Sequence, residues 1–174
     1  MATIERKGYG QLELNRVAFR RDGRVEAQVP YDTTANRVFE NGMVVTIKTD
    51  ASKGKSIVPG ATENGLYGIL YTSEELYDQR KPGLKNFGVV VKDGKVEGPE
   101  GYDVYPRIGF LSAGDVFTTN TVVKTDNFAI GDTVKVATTG EWTKTEGTGP
   151  QGVVNKIYTM PDGQPAIEIE IIKA

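Results

Sequence analysis

Cysteine and histidine are both absent from this chain of 174 residues. Without cysteine the chain can form no disulfide, no thiolate nucleophile and no cysteine-ligated zinc site. Without histidine it lacks the commonest general base, the usual activator of a serine nucleophile and the favoured zinc ligand. The residue types that most often carry catalysis and zinc binding are therefore missing.

Long apolar runs and a strong net charge are missing as well. No segment approaches the roughly 20 apolar residues that cross a bilayer, and the first residues, MATIERKGYGQ, lack the apolar core of a secretion signal. The 21 basic and 23 acidic residues give a formal charge of −2, which supplies no general field for nucleic acid. Glycine-rich phosphate motifs and the DxDxDG calcium pattern do not occur. We expect synthesis in the cytosol, no cofactor, and neither a membrane nor a nucleic-acid partner.

Turn and strand residues are abundant. The 21 glycines and 8 prolines, with many threonines and valines, predict a mainly β protein. Three Asp-Gly pairs, at 22–23, 93–94 and 162–163, favour two-residue hairpin turns. The last strand, AIEIEII at 166–172, alternates isoleucine with glutamate, as in a sheet with one wet face. One short helix is predicted over 73–80, where Thr72 and Glu75 form a capping box.

Two segments share one pattern of phenylalanine, glycine and alternating aliphatic residues. FENGMVVTI (39–47) matches FAIGDTVKV (128–136), and GLYGILYT (65–72) matches GVVNKIYT (152–159). Chance similarity stays open because β sequences are rich in glycine and valine, but duplication is the better explanation. We predict an antiparallel β-barrel or sandwich of two related halves, about 39–92 and 128–172, with central strands in 102–123.

The N-terminal stretch differs from the rest in charge and pattern. Residues 1–24 hold six basic residues against three acidic ones. Their apolar neighbours are too sparse to form a core alone, so they need either this domain's own sheet or another subunit that accepts an added strand. We predict an extended arm with a hairpin over 1–35 and a barrel-like domain over 36–174. The candidate partner-binding residues are Tyr9, Leu12, Leu14, Val17, Phe19, Arg20 and Arg21.

Carboxylates supply the candidates for acid/base chemistry. Asp115, Asp126 and Asp132 lie near turns, and Glu168 and Glu170 lie two apart on one strand, so pairs of them could flank a glycosidic bond. Aspartate after glycine usually serves turn geometry, and alternate glutamates on an edge strand usually serve solvation. The structural interpretation is preferred, and no catalytic or metal site is predicted.

Aromatic residues could form a binding surface. Eight tyrosines could contact a sugar or a protein partner, although roles in the core explain most of them equally well. Trp142 lies in TGEWTKT, where we expect a hairpin and a side chain that covers one end of a barrel.

The segment GDTVKVATTGEWTKTEGTGPQGVVNKI, followed by AIEIEII, resembles the small β-barrel decoration, or cement, proteins that coat the capsids of tailed bacteriophages. The similar features, over 128–172, are the Gly131-Asp132 turn into a strand, the Gly140-Glu141-Trp142 hairpin, the strand after Gly152 and the acidic last strand. The duplication and the inserted helix depart from the simplest single-barrel members.

The resemblance implies a non-enzymatic virion protein on the capsid surface. Such a protein binds the major capsid protein, often through an extended N-terminal arm, and stabilises the shell against internal pressure. Whether it forms a homo-oligomer such as a trimer stays open. A tail or baseplate component and a carbohydrate-binding module are the alternatives.

Overall fold

The computed structural model describes residues 1–6, 9–52, 54–62, 65–71, 88–92, 95–97, 105–161 and 163–174, with 88–92 and 95–97 described by their backbone only. These ranges contain one helix, α1, at Ala18–Asp22. The strands are β1 (Ala2–Thr3), β2 (Leu12–Arg16), β3 (Val25–Glu26), β4 (Arg37–Glu40), β5 (Val44–Asp50), β6 (Gly54–Pro59), β7 (Leu66–Leu70), β8 (Gly88–Lys92), β9 (Lys95–Glu97), β10 (Ile108–Gly109), β11 (Val116–Thr119), β12 (Asn127–Phe128), β13 (Thr133–Val136), β14 (Trp142–Thr143), β15 (Thr148–Thr159) and β16 (Pro165–Lys173).

The strands form antiparallel sheets that stack as a sandwich. A six-stranded sheet has the order β14-β13-β15-β16-β11-β2, and a five-stranded sheet has the order β3-β10-β7-β5-β6. A three-stranded sheet, β4-β8-β9, and the pair β1-β12 complete the described strands. The predicted fold class, mainly β and antiparallel with one short helix, is confirmed. The helix predicted over 73–80 lies outside the described residues.

Two apolar clusters form the core. The first joins the six-stranded and five-stranded sheets, with Phe117, Trp142 and Ile169 from one sheet and Val44 and Ile69 from the other. The second cluster lies on the opposite side of the five-stranded sheet, where Phe39 of β4 packs with residues of β5, β6, β7 and β10. The five-stranded sheet is therefore the middle layer of the described structure.

Strand β5 contributes to both clusters because successive side chains of a strand point to opposite faces. Val44 packs in the first cluster, and Val45 and Ile47 pack in the second. Burial on both faces explains why this strand begins as a continuous apolar run.

Hydrogen bonds also tie the two large sheets together. The Val44 N–H of β5 donates at 2.9 Å to the carbonyl of Gly140, which lies between β13 and β14. The Trp142 Nε1–H donates to the Gly42 carbonyl at 3.2 Å. Trp142 is fully buried within the first cluster, and its strand β14 pairs with β13 as the predicted hairpin.

The last hairpin matches its predicted pattern. Ile167, Ile169 and Ile171 are at most 1% exposed, whereas Glu168 and Glu170 are half-buried. β16 pairs with β15 up to Thr159 and Pro165, so the connecting loop is longer than the predicted two-residue turn. β16 has a neighbour on each side and is not the edge strand expected for its glutamates. Strands β8 and β9 pair as predicted, and their turn, 93–94, lies outside the described residues.

The predicted hairpin at Asp22-Gly23 is wrong. Residues 18–22 form α1, and Gly23, with φ 68°, ends it in the left-handed conformation while its N–H bonds to the Phe19 carbonyl. The Asp115 carboxylate accepts the Ala18 N–H at 2.6 Å and so caps the first turn from outside the segment. Tertiary contacts decide the local structure here, and the Asp-Gly pair does not predict them.

The two segments thought to be related share their first turn but not their later register. Gly42 and Gly131 have φ of 87° and 90°, and each follows a buried phenylalanine. A third such turn holds Gly114, with φ 89°. Beyond the turn, Val45 lies opposite Gly68, whereas Val134 lies opposite Gly152. The match of Gly65 with Gly152 is therefore displaced in the structure, and duplication stays a prediction.

Candidate functional site

The aspartates proposed for acid/base chemistry are acceptors for turns. Asp115 is 2% exposed, and besides Ala18 it accepts the Ser112 N–H at 2.8 Å. Asp126 accepts the Thr143 hydroxyl at 2.6 Å and the Lys144 N–H at 2.9 Å. These bonds fix loops and leave both carboxylates inside the protein.

Asp132 repeats this turn geometry and adds an ion pair. Its carboxylate accepts the Ala129 N–H at 2.8 Å and contacts Lys144 Nζ at 2.8 Å. The hydrogen bond from Lys144, followed by that from the Ala129 N–H, lowers the pKa of Asp132 below its usual value. A carboxylate held ionised in this way is a poor proton donor near neutral pH.

The glutamates of β16 face outward from the core. Glu170 accepts from Asn155 Nδ2 at 2.8 Å and pairs with Arg16 at 3.4 Å across strand β11. These contacts connect three strands of one sheet. Within the described residues, no group of three or more acidic side chains could hold a metal ion.

The N-terminal residues predicted to form an arm are folded onto the body. β2 pairs with β11, with Leu12 opposite Thr119 and Leu14 opposite Phe117. β1 pairs with β12, and Ile4 is 1% exposed in the first cluster. The alternative in which the segment uses its own sheet is therefore the observed one, and the extended arm is not.

A buried polar network fixes the chain between β1 and β2. The buried Asn120 accepts the Gln11 N–H at 2.7 Å and donates to the Tyr9 carbonyl at 3.2 Å. Glu40, also buried, accepts the Gly10 N–H at 3.0 Å and pairs with Arg6 at 2.6 Å. A buried polar group that lacks a hydrogen-bond partner destabilises the fold. This network therefore favours one position for the segment.

The candidate partner-binding residues divide by exposure. Phe19 is fully buried against Tyr71, at 5.1 Å between ring centroids, so it cannot contact a partner and that assignment is wrong. The half-buried residues of this set pack on the first cluster or within the N-terminal network, and they are Tyr9, Leu12, Leu14 and Val17. Arg20 and Arg21 are exposed.

A groove brings two of these candidates together with residues that the sequence did not suggest. Its volume is about 430 Å³, and its lining residues are Leu14, Arg20, Val25, Tyr71 and Arg107. β2 and β3, which supply Leu14 and Val25, are edge strands of the two large sheets, and α1 connects them. The sequence does not single out Val25 or Arg107, and it offers Tyr71 only as one of eight tyrosines, because only the fold brings these separate segments together.

A second depression is more polar. Its volume is about 520 Å³, and its lining residues are Pro30, Tyr31, Asp32, Thr33, Thr34, Lys48, Thr49, Asp50, Lys55 and Ser56. Asp32 and Asp50 each accept from a hydroxyl two residues ahead, at 2.7 and 2.6 Å, so both carboxylates organise their own loops. Tyr31 is 4% exposed against Phe39, and burial raises the pKa of its hydroxyl. The aromatic face that a sugar would stack on is therefore covered.

The other tyrosines that the structure describes lie in different surroundings. Tyr67 and Tyr71 pack on the first cluster, and Tyr158 lies under Lys156 Nζ at 5.1 Å from its ring centre. Tyr105 is 48% exposed. Tyr77 and Tyr102 lie outside the described residues.

Comparison with protein-family models, with curated protein sequences and with solved structures found no match for this chain. In the part of the chain that the structure describes, no helix is long and apolar enough to span a membrane.

Proposed function

We propose that this chain is a non-enzymatic structural protein of a tailed bacteriophage, which binds the outer surface of the capsid and stabilises the lattice of the major capsid protein. The observation that carries the proposal is the resemblance over 128–172 to capsid decoration proteins. This segment forms β12 to β16, and four of these strands are neighbours in the six-stranded sheet.

The bonding of the candidate acids supports a binding role. Asp115, Asp126 and Asp132 all accept main-chain hydrogen bonds within the body. A protein repeated over a lattice needs only a rigid body and a modest binding surface, because many copies supply avidity.

The route of attachment differs from the one that the resemblance implies. Residues 9–31 are folded onto the body, so they are not available to reach a neighbouring subunit as an extended arm. Attachment therefore occurs through a folded surface, which includes the exposed Arg20.

The test uses capsid shells of the encoding phage that lack this protein. Purified chain is added to expanded shells, and bound chain is measured by co-sedimentation. Saturable binding at a fixed ratio to the major capsid protein is expected, with heat-denatured chain as the control. Failure to bind would overturn the proposal.

Imaging separates the head from the tail. A labelled copy in complete particles is expected over the whole head. Label confined to the tail or baseplate would instead support the alternative location, and specific binding on a glycan array would support a carbohydrate-binding module.

A further inference from the structure

We propose that the groove lined by Leu14, Arg20, Val25, Tyr71 and Arg107 binds an acidic segment of a partner protein in an extended conformation. The inference rests on the proposed function only for the partner's identity, which would be the major capsid protein. The groove's chemistry is argued from its own residues.

Charge is the first argument. Among the described residues, two exposed guanidinium groups, those of Arg20 and Arg107, line the groove, and no carboxylate does. The neighbouring Arg21 and Arg24 both pair with Asp22, at 3.2 and 3.9 Å, whereas no ion pair engages Arg20 within the described residues. Because arginine matches a carboxylate with two parallel hydrogen bonds, this lining selects acidic side chains.

The walls of the groove favour an extended segment. β2 and β3 are the edge strands of their sheets, so their outer N–H and C=O groups face no other described strand. An added strand could pair with such an edge. Leu14, Val25 and Tyr71 provide apolar surface, with Val25 40% exposed. In a strand that alternates acidic and apolar residues, the acidic side chains all point to one face and the apolar side chains to the other. The acidic face can contact the arginines while the apolar face contacts these walls.

Nucleic acid fits the groove less well. Its bases would need an open aromatic face, but the Tyr71 ring is half-buried and packs at 5.1 Å from Phe19. The formal charge of −2 also opposes a polyanion at long range. A short acidic segment carries less charge than a polynucleotide and is the better match.

The direct test is a binding titration by fluorescence anisotropy. The probe is a labelled peptide of about eight residues, the length of a long strand, that alternates glutamate and valine. The same peptide with lysine in place of glutamate is the charge control. We expect the acidic peptide to bind and the basic one not to.

Variants assign the binding to the groove. Arg20→Ala and Arg107→Ala are each expected to weaken peptide binding about tenfold. Arg21→Ala is the matched control, since Arg21 is also exposed, lies on the same helix and is not part of the lining. Its affinity should stay within about twofold of the unmodified chain. Circular dichroism checks that each variant is folded.

Three results would overturn the groove assignment. They are no binding of the acidic peptide, equal losses in Arg20→Ala and Arg21→Ala, and tighter binding of an oligothymidine than of the peptide. The last of these would indicate a nucleic-acid site.

The same variants, added to shells, separate the two proposals. If the double variant Arg20→Ala, Arg107→Ala coats shells as the unmodified chain does, the groove is not the attachment site, and the proposed function stands. If the peptide binds through both arginines but the chain coats no shells, the proposed function fails, and the groove assignment stands.

Discussion

Gly42 and Gly131 are single residues with the same backbone conformation and different surroundings. Both have φ near 90°, where a side chain is strained. A Cβ on Gly131 would meet no atom within 4 Å, whereas a Cβ on Gly42 would overlap Thr119 Oγ1. That hydroxyl is fixed, because it donates to the Gln11 carbonyl at 2.7 Å and accepts the Thr121 N–H at 3.0 Å.

Alanine substitutions at the two glycines therefore separate the cost of backbone strain from the cost of steric overlap. Gly131→Ala should cost about 1 to 2 kcal/mol of unfolding free energy, from strain alone. Gly42→Ala should cost about 3 kcal/mol or more, because strain and overlap act together. Urea denaturation measures both, and equal losses would contradict the surroundings described for Gly42.

Asp132 gives stability a dependence on pH. Its folded-state pKa lies below the usual value of 3.8, so the ionised carboxylate stabilises the fold above that pH. This contribution is lost as the pH falls through the folded-state pKa. We expect Asp132→Asn to lower the unfolding free energy by about 1 kcal/mol at neutral pH and to make little difference in strong acid.

Urea midpoints across the acid range test this prediction. The control is Asp132→Asn in a Lys144→Met background, where the neutral-pH loss should shrink but not vanish, because the Ala129 N–H still donates to the carboxylate. A loss that is the same at neutral and acid pH would contradict the assignment.

At the scale of elements, the N-terminal strands distinguish a folded edge from a free arm. Deleting residues 1–16 removes β1 and β2 and uncovers β11, whose residues are all buried. We predict that the truncated chain aggregates or loses its fold, because an uncovered edge strand pairs with other chains. Size-exclusion chromatography and circular dichroism measure the outcome.

Removal of Lys173 and Ala174, which are exposed, is the matched control and should leave the chain soluble and folded. If the chain without residues 1–16 is instead folded and monomeric, the result would contradict this prediction and support the interpretation of the segment as an arm.

Elements with their own periodicity could be predicted from sequence, and elements set by distant contacts could not. The alternation at Ile167, Ile169 and Ile171 predicts β16, because this pattern depends only on neighbouring residues of the strand itself. Helix α1 depends on burial of Phe19 and on the Asp115 carboxylate, which lies far along the chain. The groove is harder still, since Arg107 belongs to no motif and the repeat that contains Tyr71 does not point to a groove. The acids could be assigned to turn geometry, because glycine precedes Asp115 and Asp132 directly.

At the scale of the whole molecule, β5 couples the two apolar clusters. Val44 packs in one and Val45 in the other, so neither cluster can open without disturbing the strand they share. We predict that the chain unfolds in one cooperative transition. Trp142, the single tryptophan, reports on the first cluster, and far-UV circular dichroism reports on all strands.

A substitution in the second cluster makes the test sharper. Ile57→Ala removes a fully buried side chain there and should cost about 2 to 4 kcal/mol. The Trp142 fluorescence midpoint should fall as far as the dichroism midpoint does. Val38→Ala, at a residue 43% exposed, is the control and should shift neither midpoint appreciably. A fluorescence midpoint that stays in place would mean that the clusters unfold separately.

The main-chain hydrogen bond between Val44 and Gly140 has a mechanical consequence. Sheets that touch only through side chains can slide past each other when a force acts along their planes, because apolar contacts re-form after each small step. Here such sliding must first break this directional bond, and the indole of Trp142 adds a second one. The sandwich should therefore resist shear as one stiff body, up to a sharp rupture force rather than a gradual yield.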